Sequence, residues 1–215
     1  ANLALLTTLV GAGDIVASDR LNHASIIDSV RLSGAERVVL AHGRPDAIPT
    51  DTRLVVIEGL FSMDGDILDI PRYFGRHWLM VDEAHSFACL GPGGRGAALA
   101  KGVVPDFLVG TLGKALGSAG AFVIGPPELK SLLVSFGRSF VYTTGMPEPV
   151  ARAALAGLRL ADDARRERLA HNARRLRMGL WQIGADVRGT AHVAPVVTGE
   201  RTMPVAERLL ELGFF

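Results

Sequence analysis

Along the chain, short apolar runs alternate with longer stretches in which apolar residues recur every three or four positions. Runs at 15–17, 38–40, 54–57, 78–81, 107–109 and 121–124 predict strands. Several of them hold no polar residue, as expected of strands buried on both faces of a parallel sheet. Helical spacing predicts helices over 1–10, 23–32, 127–136, 148–161 and 165–183. From about Gly184 a shorter unit begins, with a strand near 195–197 and a helix near 204–212. The alternation predicts an α/β fold: a mostly parallel sheet with helices on both faces. Residues 1–160 form the expected large domain, and 161–215 a linker helix and the start of a small α+β domain. The chain opens in mid-pattern at Ala1-Asn2-Leu3 and stops at Gly213-Phe214-Phe215, so both ends read as cut and the large domain as incomplete at its start.

Two connections look too short for a covering helix. Only residues 41–53, with Pro45 and Pro49, separate the second and third strands, and the stretch after Asp66 before the fourth contains Pro71. A parallel crossover takes roughly a dozen residues or more, so these can close only with a helical turn or extended chain. Apolar strand surface is then expected to be exposed on one face, at a cost of roughly 25 cal/mol per Å2.

Composition narrows the function classes. With 215 residues, 48% hydrophobic, the chain can bury one sizeable core. A formal net charge of +1 gives no electrostatic case for nucleic acid or an anionic membrane. The single cysteine, Cys89, excludes an internal disulfide, speaks against a cysteine-based zinc site and suits a reducing cytoplasm. No apolar stretch reaches the length of a membrane span.

The chemistry-bearing residues follow the strands. Asn22-His23-Ala24-Ser25 follows the first, Glu58 to Asp66 the third, Asp82-Glu83-Ala84-His85 the fourth, and Gly110-Thr111-Leu112-Gly113-Lys114-Ala115 the fifth. In an open parallel sheet such segments gather at the carboxyl ends of the strands, where ligands bind. Lys114 stands among glycines and small residues, where crowding lowers an amine's pKa and makes it a nucleophile. A carboxylate and an imidazole ending the preceding strand are the groups a pyridine-ring cofactor needs. The combination points to pyridoxal 5'-phosphate (PLP) bound through Lys114. A helicase-type reading of Asp82-Glu83-Ala84-His85 lacks the phosphate loop it requires upstream.

In this order the motifs resemble the α-oxoamine synthases, a fold-type-I PLP family, over nearly the whole chain. The resemblance implies that Lys114 holds PLP and acts as base on the substrate Cα–H. It implies that Asp82 pairs with the pyridine nitrogen, that His85 and Ser62 bond the phenolic oxygen, that Thr111 holds the phosphate and that His23 stacks on the ring. Glu58 becomes an acid behind or beside the substrate, and Thr143 or Thr144 reaches the phosphate of a neighbouring subunit in a homodimer. The implied reaction joins an amino acid to an acyl-CoA with loss of CoA and CO2. The stretches 58–66 and 110–121 are most similar to the 8-amino-7-oxononanoate synthases, which use L-alanine and a pimeloyl thioester, and Ser86 is similar to the serine palmitoyltransferases. A truncated, inactive paralogue serving as a partner subunit is the reading from another class. His42, His77, His171 and His192 read as structural or exposed, Cys89 as packing, and 91–96 as a tight loop without an assigned role.

Overall fold

The computed structural model describes residues 1–214. Five parallel strands, β1 (Ile15–Asp19), β2 (Glu36–Leu40), β3 (Leu54–Glu58), β4 (Trp78–Asp82) and β5 (Phe107–Thr111), form one sheet with an antiparallel edge strand, β6 (Ala121–Ile124). The order across the sheet is β2-β1-β3-β4-β5-β6. β1, β3, β4 and β5 each run one or two residues beyond the apolar run read from the sequence. The added residues include Asp19, Glu58, Asp82 and Thr111. The backbone ladder continues whatever the side chain, so these polar groups sit inside strands and inherit their rigidity.

Alternation along the strands divides the core in two. Val16, Leu54, Val56, Met80, Phe107 and Val109 pack against Leu5 and Leu6 of α1 (Asn2–Leu9), Ile26 and Val30 of α2 (Ala24–Ser33) and Leu129 of α4 (Pro127–Phe136). Ala17, Val55, Ile57, Leu79 and Val81 face the other way. There the cover is α3 (Ala97–Ala100) and two 3-10 turns, Pro45–Ala47 and Ile70–Tyr73, that close the short connections. The expected exposure of strand surface is not found. Phe61, Leu68, Ile70 and Tyr73 fill that face, and Val55, Ile57, Leu79 and Val81 are fully buried. Large side chains on short turns replace the missing helices.

The remaining elements are α5 (Arg138–Val141), α6 (Glu148–Leu160), α7 (Asp163–Gln182), β7 (Asp186–Val187), β8 (Val196–Val197) and α8 (Thr202–Glu211). Asp162 caps α7, accepting from the Arg165 amide at 2.8 Å. The two-residue strand β7, too short to show as a pattern, pairs with β8 as an antiparallel ribbon. Among the described residues no helix is long and apolar enough to cross a membrane.

His42 ties three strand ends together. Its Nδ1 lies 2.9 Å from Asp19 Oδ1, at the end of β1, and its Nε2 lies 2.9 Å from Asp66 Oδ2, after β3. Its ring meets Phe61 edge-on at 4.7 Å between centroids. Burial opposes the charge, but the two carboxylates outweigh it and the pKa is raised above 6.5. The stabilisation is therefore complete below pH 6.5 and lost as pH rises through the folded pKa. Urea unfolding across that range should show this decline, and His42→Phe should remove it.

Ala88 adopts a left-handed conformation, φ 65°, unlike every other non-glycine residue described. Its amide bonds the Gly94 carbonyl at 2.6 Å, which holds the strained turn in place. Ala88→Gly should stabilise the chain by about 1 kcal/mol, a rise of roughly 2–4 °C in Tm by thermal denaturation.

Candidate active site

A cleft of about 430 Å3 opens at the carboxyl ends of β3, β4 and β5, walled by the first turns of α1 and α2. His23, Glu58, Asp82, His85, Thr111 and Lys114 all line it. The fold thus brings together six of the residues singled out from the sequence, drawn from positions 23 to 114. Ser62 is placed in the turn after β3 and does not line the cleft. Thr143 and Thr144 are exposed and lie outside the cleft of this chain.

Asp82 is held at both oxygens. Oδ2 accepts from Asn2 Nδ2 at 2.8 Å, and Oδ1 from the Ala84 amide at 3.0 Å. Asn2 Nδ2 also donates to Ser25 Oγ at 2.9 Å, so α1 and α2 are joined over the carboxylate. Asn2 Oδ1 is buried without a partner, an acceptor left open in the cleft wall.

Glu58 and Asp82 are register partners on adjacent parallel strands, so two carboxylates stand side by side. Burial and the Asp82 charge push the Glu58 pKa up to about 7, against the amides of His23 and Ser62 and the Lys114 charge. The His23 amide donates to Glu58 Oε1 at 2.5 Å. His23 itself caps α2: the Ser25 amide donates to its Nδ1 at 3.1 Å, which leaves the ring hydrogen on Nε2.

Lys114 is carried by the β5–β6 connection, closed by Leu112 N to Gly120 O and Ser118 N to Leu112 O, both 2.9 Å. The side chain is exposed at the cleft mouth, yet desolvation by the walls lowers its pKa from 10.5 against the pull of Asp82 and Glu58. Desolvation and the Lys114 charge lower the His85 pKa, favouring the neutral imidazole. Thr111 Oγ1 donates to Gly120 O at 3.2 Å and accepts from the Gly113 amide at 3.3 Å. The site therefore holds an amine of lowered pKa, an oriented carboxylate, two imidazoles and a hydroxyl around one opening.

The loop at 91–96 now has a role. Glu83 is fully buried, and its carboxylate accepts from the Ala97 and Ala98 amides, each at 2.8 Å, and from the Ser86 hydroxyl. A Cβ on Gly59 or Gly96 would strike that carboxylate. The loop turns tightly so that α3 can present its free amides to Glu83, one residue after Asp82.

A second cleft of about 560 Å3 lies beside the first and shares His85 and Lys114 with it; His192, Cys89 and Arg166 line it too. Asn2, Glu83 and His192 were not singled out from the sequence. Asn2 had a signal in its place at the start of a helix. Glu83 had one in the glycines 59 and 96, which is visible only once the fold pairs them. His192 is far along the chain and had none.

Since the Glu58 carboxyl is protonated up to about pH 7 when folded but ionises near 4.5 when unfolded, stability should fall between those values and level off above. The amplitude is on the order of 3 kcal/mol. Glu58→Gln should flatten the decline, and a protonated-carboxyl infrared band present at pH 6 should be missing in that variant.

The family model for aminotransferase class I and II matches residues 1–212. An 8-amino-7-oxononanoate synthase of Methylococcus capsulatus is 43% identical over 236 residues, covering 100% of this chain and 60% of its own length. A putative 8-amino-7-oxononanoate synthase of Desulforudis audaxviator is 41% identical, with 100% and 61% covered. Among solved structures, serine palmitoyltransferase of Sphingomonas wittichii superposes with a TM-score of 0.90 at 31% identity, covering 100% of this chain and 59% of that one. The 8-amino-7-oxononanoate synthase of Francisella tularensis gives 0.87 at 29%, with 100% and 68% covered. The chain spans about 60% of the length of the curated relatives it matches. Its fold, its site and this match agree: the chain belongs to the aminotransferase class I and II family.

Proposed function

We propose that this chain carries the cofactor site of a PLP-dependent C-acyltransferase. In the proposed reaction an amino acid and an acyl-CoA give an α-oxoamine, CoA and CO2. The observation that carries the reading is the convergence of Lys114 with Asp82, His85, His23 and Thr111 in one cleft. The residues present fit the cofactor: Asp82, held by Asn2 and Ala84, offers a fixed carboxylate for a pyridine nitrogen, and the open Asn2 Oδ1 leaves an acceptor beside it.

Lys114 would hold PLP through its amine, which its lowered pKa makes available, and then take the substrate Cα proton. When bound, PLP supplies the sink for the electrons left at that carbon. Asp82, held by Asn2 and the Ala84 amide, would keep the pyridine nitrogen protonated. His23, which lines the cleft, would lie against the ring and confine the amino acid to the other side. His85, which lines the cleft, would bond the phenolic oxygen, while Ser62 stands outside the cleft. Thr111, at the cleft's edge, would hold the phosphate. Glu58, protonated near neutrality, can hold a proton beside Asp82 without adding a second negative charge. A homodimer in a cytoplasmic setting is part of the proposal, with Thr143 or Thr144 reaching the partner's phosphate.

For substrates we infer L-alanine and pimeloyl-CoA. Support comes from relatives named 8-amino-7-oxononanoate synthase, 41–43% identical with the whole of this chain covered. The fold match to the latter keeps serine with a long-chain acyl-CoA as the second reading.

With PLP added, the purified chain should show a visible band, and borohydride should fix the cofactor mass on Lys114. Lys114→Ala should lose both and lower CoA release from alanine and pimeloyl-CoA by a factor of about 100 or more. A folded protein with no band and no modified lysine would overturn the enzyme reading and leave a partner subunit.

A further inference from the structure

We propose that Ser25, the second residue of α2, is a positioning residue for the cofactor site: its hydroxyl receives a hydrogen bond from Asn2, gives one to His23, and so ties the His23 imidazole to the Asp82 carboxylate. The inference rests on the PLP reading of the Lys114 cleft.

The contacts form an unbroken line. Asn2 Nδ2 lies 2.8 Å from Asp82 Oδ2 and 2.9 Å from Ser25 Oγ, and Ser25 Oγ lies 2.8 Å from His23 Nδ1. All four residues line the cleft. The chemistry of the groups assigns every donor. The Ser25 amide also points at His23 Nδ1, at 3.1 Å, and an amide N–H only donates, so that ring nitrogen carries no hydrogen. The Ser25 hydroxyl must then give its own hydrogen to Nδ1, which shares its lone pair between the two donors. An oxygen lone pair of Ser25 is left to accept from Asn2. Asn2 has two side-chain amide hydrogens, one for Asp82 and one for Ser25. The reverse placement of that side chain would set its carbonyl oxygen against the carboxylate.

The line joins three elements, because Asn2 opens α1, Ser25 lies in the first turn of α2 and Asp82 ends β4. Asp82 and Asn2 are buried, whereas His23 is exposed at the cap of α2. An exposed imidazole can turn about its side-chain bonds unless a ring nitrogen is held. The helix cap needs only the Ser25 amide, which any residue but proline would supply. The hydroxyl is superfluous to the cap; what it adds is the link from His23 to Asn2. Without it, an Asn2 hydrogen beside Asp82 loses its acceptor, and Nδ1 keeps only the longer of its two bonds.

The test compares Ser25→Ala and Ser25→Thr with the unsubstituted chain. Both keep the amide that caps α2, and threonine keeps a hydroxyl. Ser25→Ala should weaken PLP binding about threefold to tenfold by absorbance titration. It should also change the circular dichroism of the bound band, since the imidazole against the cofactor is no longer fixed. Ser25→Thr should retain the dichroism and bind PLP within about twofold of the unsubstituted chain. In the cofactor-free protein, the His23 imidazole 15N signals, identified by their loss in His23→Asn, should show hydrogen on Nε2 alone. The Nδ1 signal should move in Ser25→Ala and hold in Ser25→Thr. A hydrogen on Nδ1 in the unsubstituted protein would overturn the proposal whatever the variants do. So would a Ser25→Ala variant that matches the unsubstituted chain, or a Ser25→Thr variant that fares no better than Ser25→Ala. If the unsubstituted chain shows no band, the PLP reading fails instead, and the His23 signals alone decide the role of Ser25.

Discussion

A buried carboxylate organises this site without taking part in its chemistry. Glu83 has no solvent, so its charge is tolerable only while the Ala97 and Ala98 amides and the Ser86 hydroxyl surround it. That requirement dictates the close approach of three segments: the turn at Gly59, the loop ending at Gly96 and the first turn of α3. Burial raises the Glu83 pKa while those donors oppose the rise. Removing any donor leaves a buried charge underserved, a change that ordinarily costs several kcal/mol. Asp82 and His85 stand on either side of this anchor in the chain, so their positions follow from it.

Around the anchor the sheet distributes charge. Register puts Glu58 beside Asp82, and the fold brings the Lys114 ammonium near both. Asp82 is bonded at both oxygens, while burial and the Asp82 charge push the Glu58 pKa up to about 7. A protonated Glu58 leaves less negative charge to hold the Lys114 proton, and desolvation then lowers the amine's pKa against the remaining pull of Asp82.

Much of this was readable from residue order. The apolar runs marked all six strands of the main sheet, and the polar groups after them marked the cleft, because strand ends gather at one edge of a parallel sheet. What could not be read depended on contacts between distant segments. Asn2 reaches Asp82 across 80 positions, and His192 comes to line a cleft with His85 and Lys114 on a turn that Arg177 brackets. The expected bare sheet face was wrong for a related reason. Pattern shows helix length, whereas Phe61, Ile70 and Tyr73 cover the strands from turns too short to register as helices. His42 read as structural, and it is, but as an ion-paired clasp between Asp19 and Asp66 that spacing alone does not reveal.

The antiparallel placement of β6 bears on the order in which the protein assembles. Lys114 sits on a connection of nine residues between paired strands, whose closure involves only nearby chain. Such hairpins form in microseconds, while parallel pairs wait on longer loop closures. The lysine is therefore on its turn early, and the carboxylates reach it only when β3 and β4 align. In refolding, the turn that carries the lysine thus depends on nearby chain alone, whereas the cleft around it depends on the register of distant strands.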